Sequence, residues 1–214
     1  MQRTAEMKKK TIEFYDGFAG QYKERHKDLP AKEIQNFADL VFAKAETTKT
    51  NVLDVGCGTG RDMEQMRAIR LNVFGIDASL EMCKLTRKNG LPVIQMDLES
   101  LAFRVSKIFD GIWARNSLLH SPPKLWPQVI NNLCARLKPR SPFFLGCKES
   151  AGTGIEEEFK STANGETYYC YWSLPKLLEM LEVRCPLRIL NVEKKEKLDV
   201  FGERHYLDIF ARRT

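Results

Sequence analysis

The sequence predicts an α/β fold, a doubly wound and mostly parallel sheet preceded by N-terminal helices. Three observations carry that expectation. From residue 51 to residue 149, short apolar runs of strand length alternate with amphipathic helical stretches, the pattern of a parallel sheet covered on both faces. The first run, Val52-Leu53-Asp54-Val55, feeds a turn with glycines at 56, 58 and 60 and then a helix. The chain has 214 residues, 43% of them hydrophobic and 29% charged, which suits one domain with a sizeable core.

Taken in order, residues 4–27 read as a helix with Ile12, Phe14, Tyr15, Phe18, Ala19 and Tyr22 as its apolar set, open to interruption at Gly17 or Gly20. Residues 34–45 show helical spacing through Ile34, Phe37, Ala38, Val41 and Phe42, and 47–50 form a polar break. Residues 1–46 are thus expected to be a helical cap. A strand at Asn51–Val55 precedes a helix over 61–69. A second strand at Asn72–Asp77 precedes a helix at Leu80–Lys88, with Ser79 as its N-cap. Strands are expected at 92–97, 109–114 and Pro142–Lys148, with a helix over 123–137 between the last two. A last helix begins at Ser173 and runs through Leu174, Leu177, Leu178 and Leu181. Strands over 187–193 and 204–211 then form a hairpin across the linker 194–203.

The turn at 56–60 carries the chemistry. Glycine takes positive φ and lets a ligand come close to the main chain. A dinucleotide fingerprint, G-x-G-x-x-G, needs its third glycine at 61, and Arg61 stands there, which disfavours a nicotinamide-dependent oxidoreductase. The turn suits a nucleoside-bearing cofactor with no pyrophosphate on the helix N-terminus. Asp54 followed by Gly56-Cys57-Gly58-Thr59-Gly60 resembles the first motif of the class I S-adenosylmethionine-dependent methyltransferases. The resemblance covers nearly the whole chain. It implies a Rossmann-like, seven-stranded sheet whose last strand inserts antiparallel, with 51–149 as the cofactor-binding core of a single domain spanning 1–214.

It also implies a set of cofactor contacts, with S-adenosylhomocysteine as the product. Asp77 ends the second strand in Gly75-Ile76-Asp77-Ala78-Ser79, the family's position for a carboxylate on the ribose hydroxyls. Met96-Asp97-Leu98 ends the third, where Asp97 would accept from the adenine amino group between Met96 and Leu98. Arg61 offers a fork to the methionine carboxylate, and Asp54 lies near its ammonium. Tyr15 and Tyr22 resemble the N-terminal element that closes over the sulfonium in small-molecule enzymes. Gly56, Cys57, Gly58, Gly60, Ala78, Met82 and Arg115 complete the expected contacts. Each has a plainer alternative: a turn or loop aspartate, a surface arginine, an aromatic in the core.

On the acceptor side, residues 109–120 match the family's fourth motif in form. His120, at the mouth of the fourth strand, is the candidate general base, because it titrates near neutrality; orienting the loop or touching the cofactor is the alternative. His26 and His205 have weaker contexts. Glu149, after the fifth strand, is a candidate partner for a cationic acceptor. Residues 150–172 are a candidate lid or acceptor segment, with Tyr168-Tyr169-Cys170-Tyr171-Trp172 at its end, or else an irregular strand on the sheet. Asn-Pro-Pro-Tyr and Asp-Pro-Pro-Tyr are absent, which disfavours methylation of DNA bases.

Composition bounds the rest. No apolar run approaches the roughly 18 residues of a membrane span. Residues 1–10 are polar and basic, unlike a secretory leader, so the cytoplasm is the expected compartment. Six cysteines without a C-x-x-C pair point to reduced, buried thiols and to no metal site. A net charge of +6 permits nucleic-acid binding, but its basic residues mostly alternate with acids. The expected function is methyl transfer to oxygen or nitrogen of a small molecule. An RNA methyltransferase and a catalytically silent cofactor-binding regulator are the alternatives.

Overall fold

The structure is a computed structural model that describes residues 2–25, 31–44, 49–101, 108–162, 165–199 and 202–214. His26, the last residues of the expected first helix and residues 47 and 48 of the break at 47–50 lie outside the described residues. Helix α1 (Gln2–Arg25) runs through Gly17 and Gly20 without interruption, and α2 (Ala31–Phe42) buries Ile34, Phe37, Ala38 and Val41. The alternation then unfolds as β1 (Asn51–Val55), α3 (Arg61–Ala68), β2 (Asn72–Asp77), α4 (Leu80–Lys88), β3 (Val93–Gln95), β4 (Gly111–Arg115), α5 (Trp126–Cys134) and β5 (Pro142–Lys148). A hairpin, β6 (Ile155–Thr162) and β7 (Gly165–Trp172), precedes α6 (Leu174–Arg184), β8 (Leu187–Asp199) and β9 (Gly202–Arg213).

The main sheet has seven strands in the order β3-β2-β1-β4-β5-β9-β8. The first five are parallel, and β9 lies antiparallel between β5 and β8. This is the expected Rossmann-like, doubly wound sheet with its antiparallel last strand. The order reverses between β1 and β4, and such a switch opens a crevice at the carboxyl ends of the strands. Asp54, near that end of β1, therefore feels the charges of Asp77 and Arg115, although they are far from it in sequence.

Apolar faces fix the layers. On one side α2 and α3 press Phe37, Val41, Met63 and Met66 onto Val52, Trp113 and Phe144. Trp113 and Phe144 stack with ring centres 3.7 Å apart. A side chain at Gly111 would come within 2.7 Å of the Phe37 ring, so this strand start has room only for glycine. On the other side α5 and α6 bury Trp126, Leu133, Leu177 and Leu181 against Leu53, Ile112 and Phe143. All six cysteines are free and buried. Among the described residues no helix is long and apolar enough to cross a membrane.

Two expectations change. Residues 150–172 hold a regular antiparallel hairpin with its own pairing, Ile155↔Trp172 through Thr162↔Gly165. Its second strand lacks the apolar-polar alternation that marks a half-exposed strand, because α1 and the core bury Tyr168 through Trp172 on both faces. The expected linker 194–203 is mostly strand: β8 and β9 stay paired from Lys194↔Leu207 to Asp199↔Gly202.

Candidate active site

The glycine turn is built by backbone geometry. Gly56, Gly58 and Gly60 have φ of 69°, 56° and 81°, the left-handed region that a β-carbon disfavours. At Gly56 a β-carbon would also lie 2.4 Å from that of Ser117. The amides of Gly56 and Cys57 donate to the Ile76 carbonyl at 2.8 and 3.0 Å, which ties the turn to β2. The Thr86 hydroxyl donates to the Gly58 carbonyl at 2.7 Å. Asp77 closes the turn from the other side: its Oδ2 accepts from Gly58 N–H at 2.8 Å and its Oδ1 from Ser79 N–H at 2.9 Å. A carboxylate has about four lone-pair positions, so each oxygen keeps one for a ligand. Burial pushes the Asp77 carboxyl up to about 6, against the pull of those two amides.

Helix α1 is fastened over this end of the sheet. Asp16 Oδ1 accepts from the Ser79 hydroxyl at 2.6 Å and from Glu81 N–H at 3.1 Å, so it caps α4 from a different element. Ser79 caps the same helix, accepting from Met82 N–H at 3.1 Å, as its sequence position predicts. Nearly two turns of α1 further on, Tyr22 lies over the glycine turn; a β-carbon on Gly58 would sit 3.7 Å from its ring.

The first turn of α3 gathers charge. Asp62 accepts from Arg61 Nε at 2.9 Å, from Trp113 Nε1 at 3.0 Å and from Arg115 at 3.4 Å. Burial opposes its charge, but Arg115 and Arg61 outweigh that and hold the carboxyl below its usual range. Beside it Asp54 is buried, with Oδ2 unpartnered among the described residues. Burial, then the charges of Asp62 and Asp77, push the Asp54 carboxyl well above its usual range. A buried carboxyl oxygen with no donor among the described residues suits a cationic ligand group.

The third-strand motif lies differently. Asp97 is ion-paired with Lys8 of α1 and accepts from Glu99 N–H at 3.0 Å, and Lys8 reaches Glu99 at 3.2 Å. Met96 and Leu98 are half-buried against the core. Met82 is fully buried on α4, and Ala78 receives Gln95 on its carbonyl at 3.1 Å.

At the mouth of β4, His120 sits in a defined hydrogen-bond chain. Its Nδ1 lies 2.8 Å from the Tyr168 carbonyl, which can only accept, so Nδ1 carries the proton. Nε2 then presents its lone pair to the Tyr15 hydroxyl at 2.7 Å. Burial foremost, with a contribution from Lys148, lowers the His120 imidazole to about 4, so it is neutral at pH 7. The Tyr169 ring centre is 5.0 Å from that of His120. Glu149 is ion-paired with Lys194 at 2.6 Å, and His205 is exposed on β9 opposite Glu196.

Sequence reasoning missed Asp16, Asp62, Trp113, Asn116 and Lys148. Asp62 follows Arg61 directly, the one cue available. Asn116 follows Arg115 with φ of 54° and a buried Oδ1 that has no hydrogen-bond partner among the described residues.

A family model described as "Methyltransferase domain" matches residues 52–140. A ubiquinone biosynthesis O-methyltransferase of Xanthomonas oryzae pv. oryzae is 36% identical over 114 residues, 50% of this chain and 46% of that protein. The chain thus aligns with about half the length of the curated relatives it matches. Among solved structures, the Burkholderia thailandensis 1,6-didemethyltoxoflavin-N1-methyltransferase, bound to its acceptor and S-adenosylhomocysteine, has a TM-score of 0.66 at 20% identity, covering 92% of this chain and 84% of that one. A DhpI complex with S-adenosylhomocysteine has a TM-score of 0.68 at 16% identity, covering 97% of both chains. These structural likenesses show the fold.

Proposed function

We propose that this chain, whose residues 52–140 match the methyltransferase-domain family, transfers a methyl group from S-adenosylmethionine to oxygen or nitrogen of a small-molecule acceptor, as a single domain working in the cytoplasm. The observation that carries the reading is the turn itself: three left-handed glycines beside a buried carboxylate, Asp77, whose remaining lone pairs suit two ribose hydroxyls. The orphaned Asp54 oxygen suits the ammonium of the methionine end, and Arg61 and Arg115 suit its carboxylate. Met96 and Leu98 would flank adenine. Asp97 would take the amino group while it keeps Lys8. Tyr22 would cover the turn, and Tyr15 would stand between the cofactor and His120. The relative named an O-methyltransferase and the neighbour named an N1-methyltransferase support an oxygen or nitrogen acceptor.

When bound, the cofactor supplies an electrophilic methyl group. The chain's own work is placement, exclusion of water and proton handling. Bringing the acceptor atom to near-attack distance supplies much of the rate in such transfers. Helix α1 is fastened over the site through Asp16, Lys8 and Tyr15, where it would shield the reaction from water. The Tyr168 carbonyl fixes the tautomer of His120, so a proton leaving the acceptor reaches Nε2 by way of the Tyr15 hydroxyl or after that ring turns aside. With an imidazole near 4, His120 is a weak base at rest, and positioning carries more of the rate than proton transfer.

Calorimetric titration with S-adenosylmethionine, S-adenosylhomocysteine and NADH tests the reading. Binding of both sulfur ligands and not of NADH is expected; binding of NADH alone would overturn it. A silent cofactor-binding protein is the second reading, favoured by the Tyr15 hydroxyl on the His120 lone pair. Tight binding without turnover across an acceptor panel would select it. The RNA alternative predicts RNA affinity that falls steeply with salt.

A further inference from the structure

Tyr169 lies between two ammonium groups that methyl transfer does not itself require. Lys148 Nζ, from the carboxyl end of β5, is 5.1 Å from its ring centre, and Lys160 Nζ, from β6, is 5.4 Å away. These residues are only 7% and 9% exposed, and lysine is rarely buried so deeply. Lys148 also faces Tyr206 at 5.6 Å, and Lys160 faces Tyr171 at 5.6 Å. Glu158 accompanies Lys160 at 3.1 Å and accepts from the Tyr171 hydroxyl, and Glu156, on the same face of β6, is held by Ser150 and Gly152, so the wall carries both signs.

Pairing of β6 with β7 sets Glu158 opposite Tyr169. Strand alternation puts Lys160 and Tyr171 on that same face. The face is directed at the catalytic end of the sheet: Tyr169 is one ring away from His120, which touches Tyr15. The positive potential of Lys148 already reaches His120, where, behind burial, it helps to lower the imidazole.

We infer that this wall is an oxyanion subsite for the methyl acceptor, in which Lys148 and Lys160 receive a carboxylate or phosphate carried by an aromatic acceptor lying along Tyr169. The aromatic class follows from the ring lining, Tyr169, Tyr171 and Tyr206. The oxyanion follows from two ammonium groups facing one ring, since an ammonium binds a carboxylate or phosphate through both a hydrogen bond and opposite charge, and a neutral isostere through the hydrogen bond alone. The inference rests on the methyltransferase reading for what the ligand is, though not for whether the site binds anions.

The test uses benzoate, phenyl phosphate and benzamide as probes, titrated into the full chain saturated with S-adenosylhomocysteine. At least one anion should bind ten times or more tighter than benzamide. Preference for phenyl phosphate assigns a phosphate acceptor, and preference for benzoate a carboxylate. Lys148→Met and Lys160→Met keep the aliphatic stem, so a merely structural lysine would tolerate them. Each should remove most of the anion preference, and Lys148→Arg should retain it. If Lys148→Met does not fold, Lys160→Met and Lys148→Arg carry the comparison. Equal affinity for anion and amide, no binding of either, or a preference that survives the Met variants would overturn the inference. If S-adenosylhomocysteine itself does not bind, the methyltransferase reading fails, and the same probes on the unligated chain still decide the anion site.

Discussion

Acidification from pH 7 to pH 5 should loosen S-adenosylhomocysteine about tenfold through one carboxyl group. Burial raises Asp77 to about 6 in the unligated chain, although Gly58 and Ser79 donate to it. Ribose hydroxyls need an acceptor on each oxygen, which the carboxylate supplies and the acid does not. The sign follows: the ligand prefers the ionised form, so affinity is near full at pH 7 and above, about half at pH 6, and lower still below it. Asp77 is about nine-tenths ionised at pH 7 and about one-tenth at pH 5, which weakens binding by about 1.4 kcal/mol. Calorimetry at pH 7, 6 and 5 in two buffers of different ionisation enthalpy reads both the affinity and the proton released, about half a proton near pH 6. Asp77→Asn should bind roughly 10- to 100-fold more weakly at pH 7, the cost of about 1.5–3 kcal/mol for hydrogen bonds to a charged group, and should lose the pH slope. Asp54 is the rival source, since its carboxyl is also raised, so Asp54→Asn must keep the slope. A flat affinity in the wild type, or a slope that persists in Asp77→Asn, would refute the assignment.

Three further outcomes are expected. In stability, Asp77 and His120 oppose each other: the raised acid favours the folded state as pH falls through 6, whereas the lowered imidazole costs stability as pH falls from 6.5 towards 4, each by about 3 kcal/mol at most. The melting temperature of Asp77→Asn should therefore drop more steeply than that of the wild type between pH 6.5 and 4, and parallel curves would count against it. His120→Ala should reduce turnover at least tenfold while S-adenosylhomocysteine affinity stays within about threefold, in line with general-base contributions; Tyr15→Phe should reproduce the loss only if the proton travels through the Tyr15 hydroxyl. Gly56→Ala forces a β-carbon onto Ser117 in a left-handed turn, so it should lower stability by about 1–3 kcal/mol and abolish cofactor binding, whereas normal binding would mean the turn relaxes at no cost.

Legibility followed how locally each feature was encoded. The sheet was readable because each strand carries its own apolar run and each helix its own period, and the antiparallel last strand came with the family resemblance. The glycine turn was readable because left-handed backbone demands one residue type at fixed positions. The bounds of β8 and β9 were not, because Lys194, Lys195 and Lys197 read as a polar linker, while cross-strand pairing holds them extended. Nor was the β6–β7 hairpin, since Tyr168 through Trp172 lack alternation when both faces are covered. The acceptor side was least readable of all. Lys148, Lys160, Tyr169, Tyr15 and His120 come from five separate segments, and only the folding of the hairpin onto α1 and β5 brings them together. The cofactor side is written largely in one turn with fixed spacing. The acceptor side is assembled by tertiary packing, so substrate choice can change in this fold without leaving a mark in any single motif.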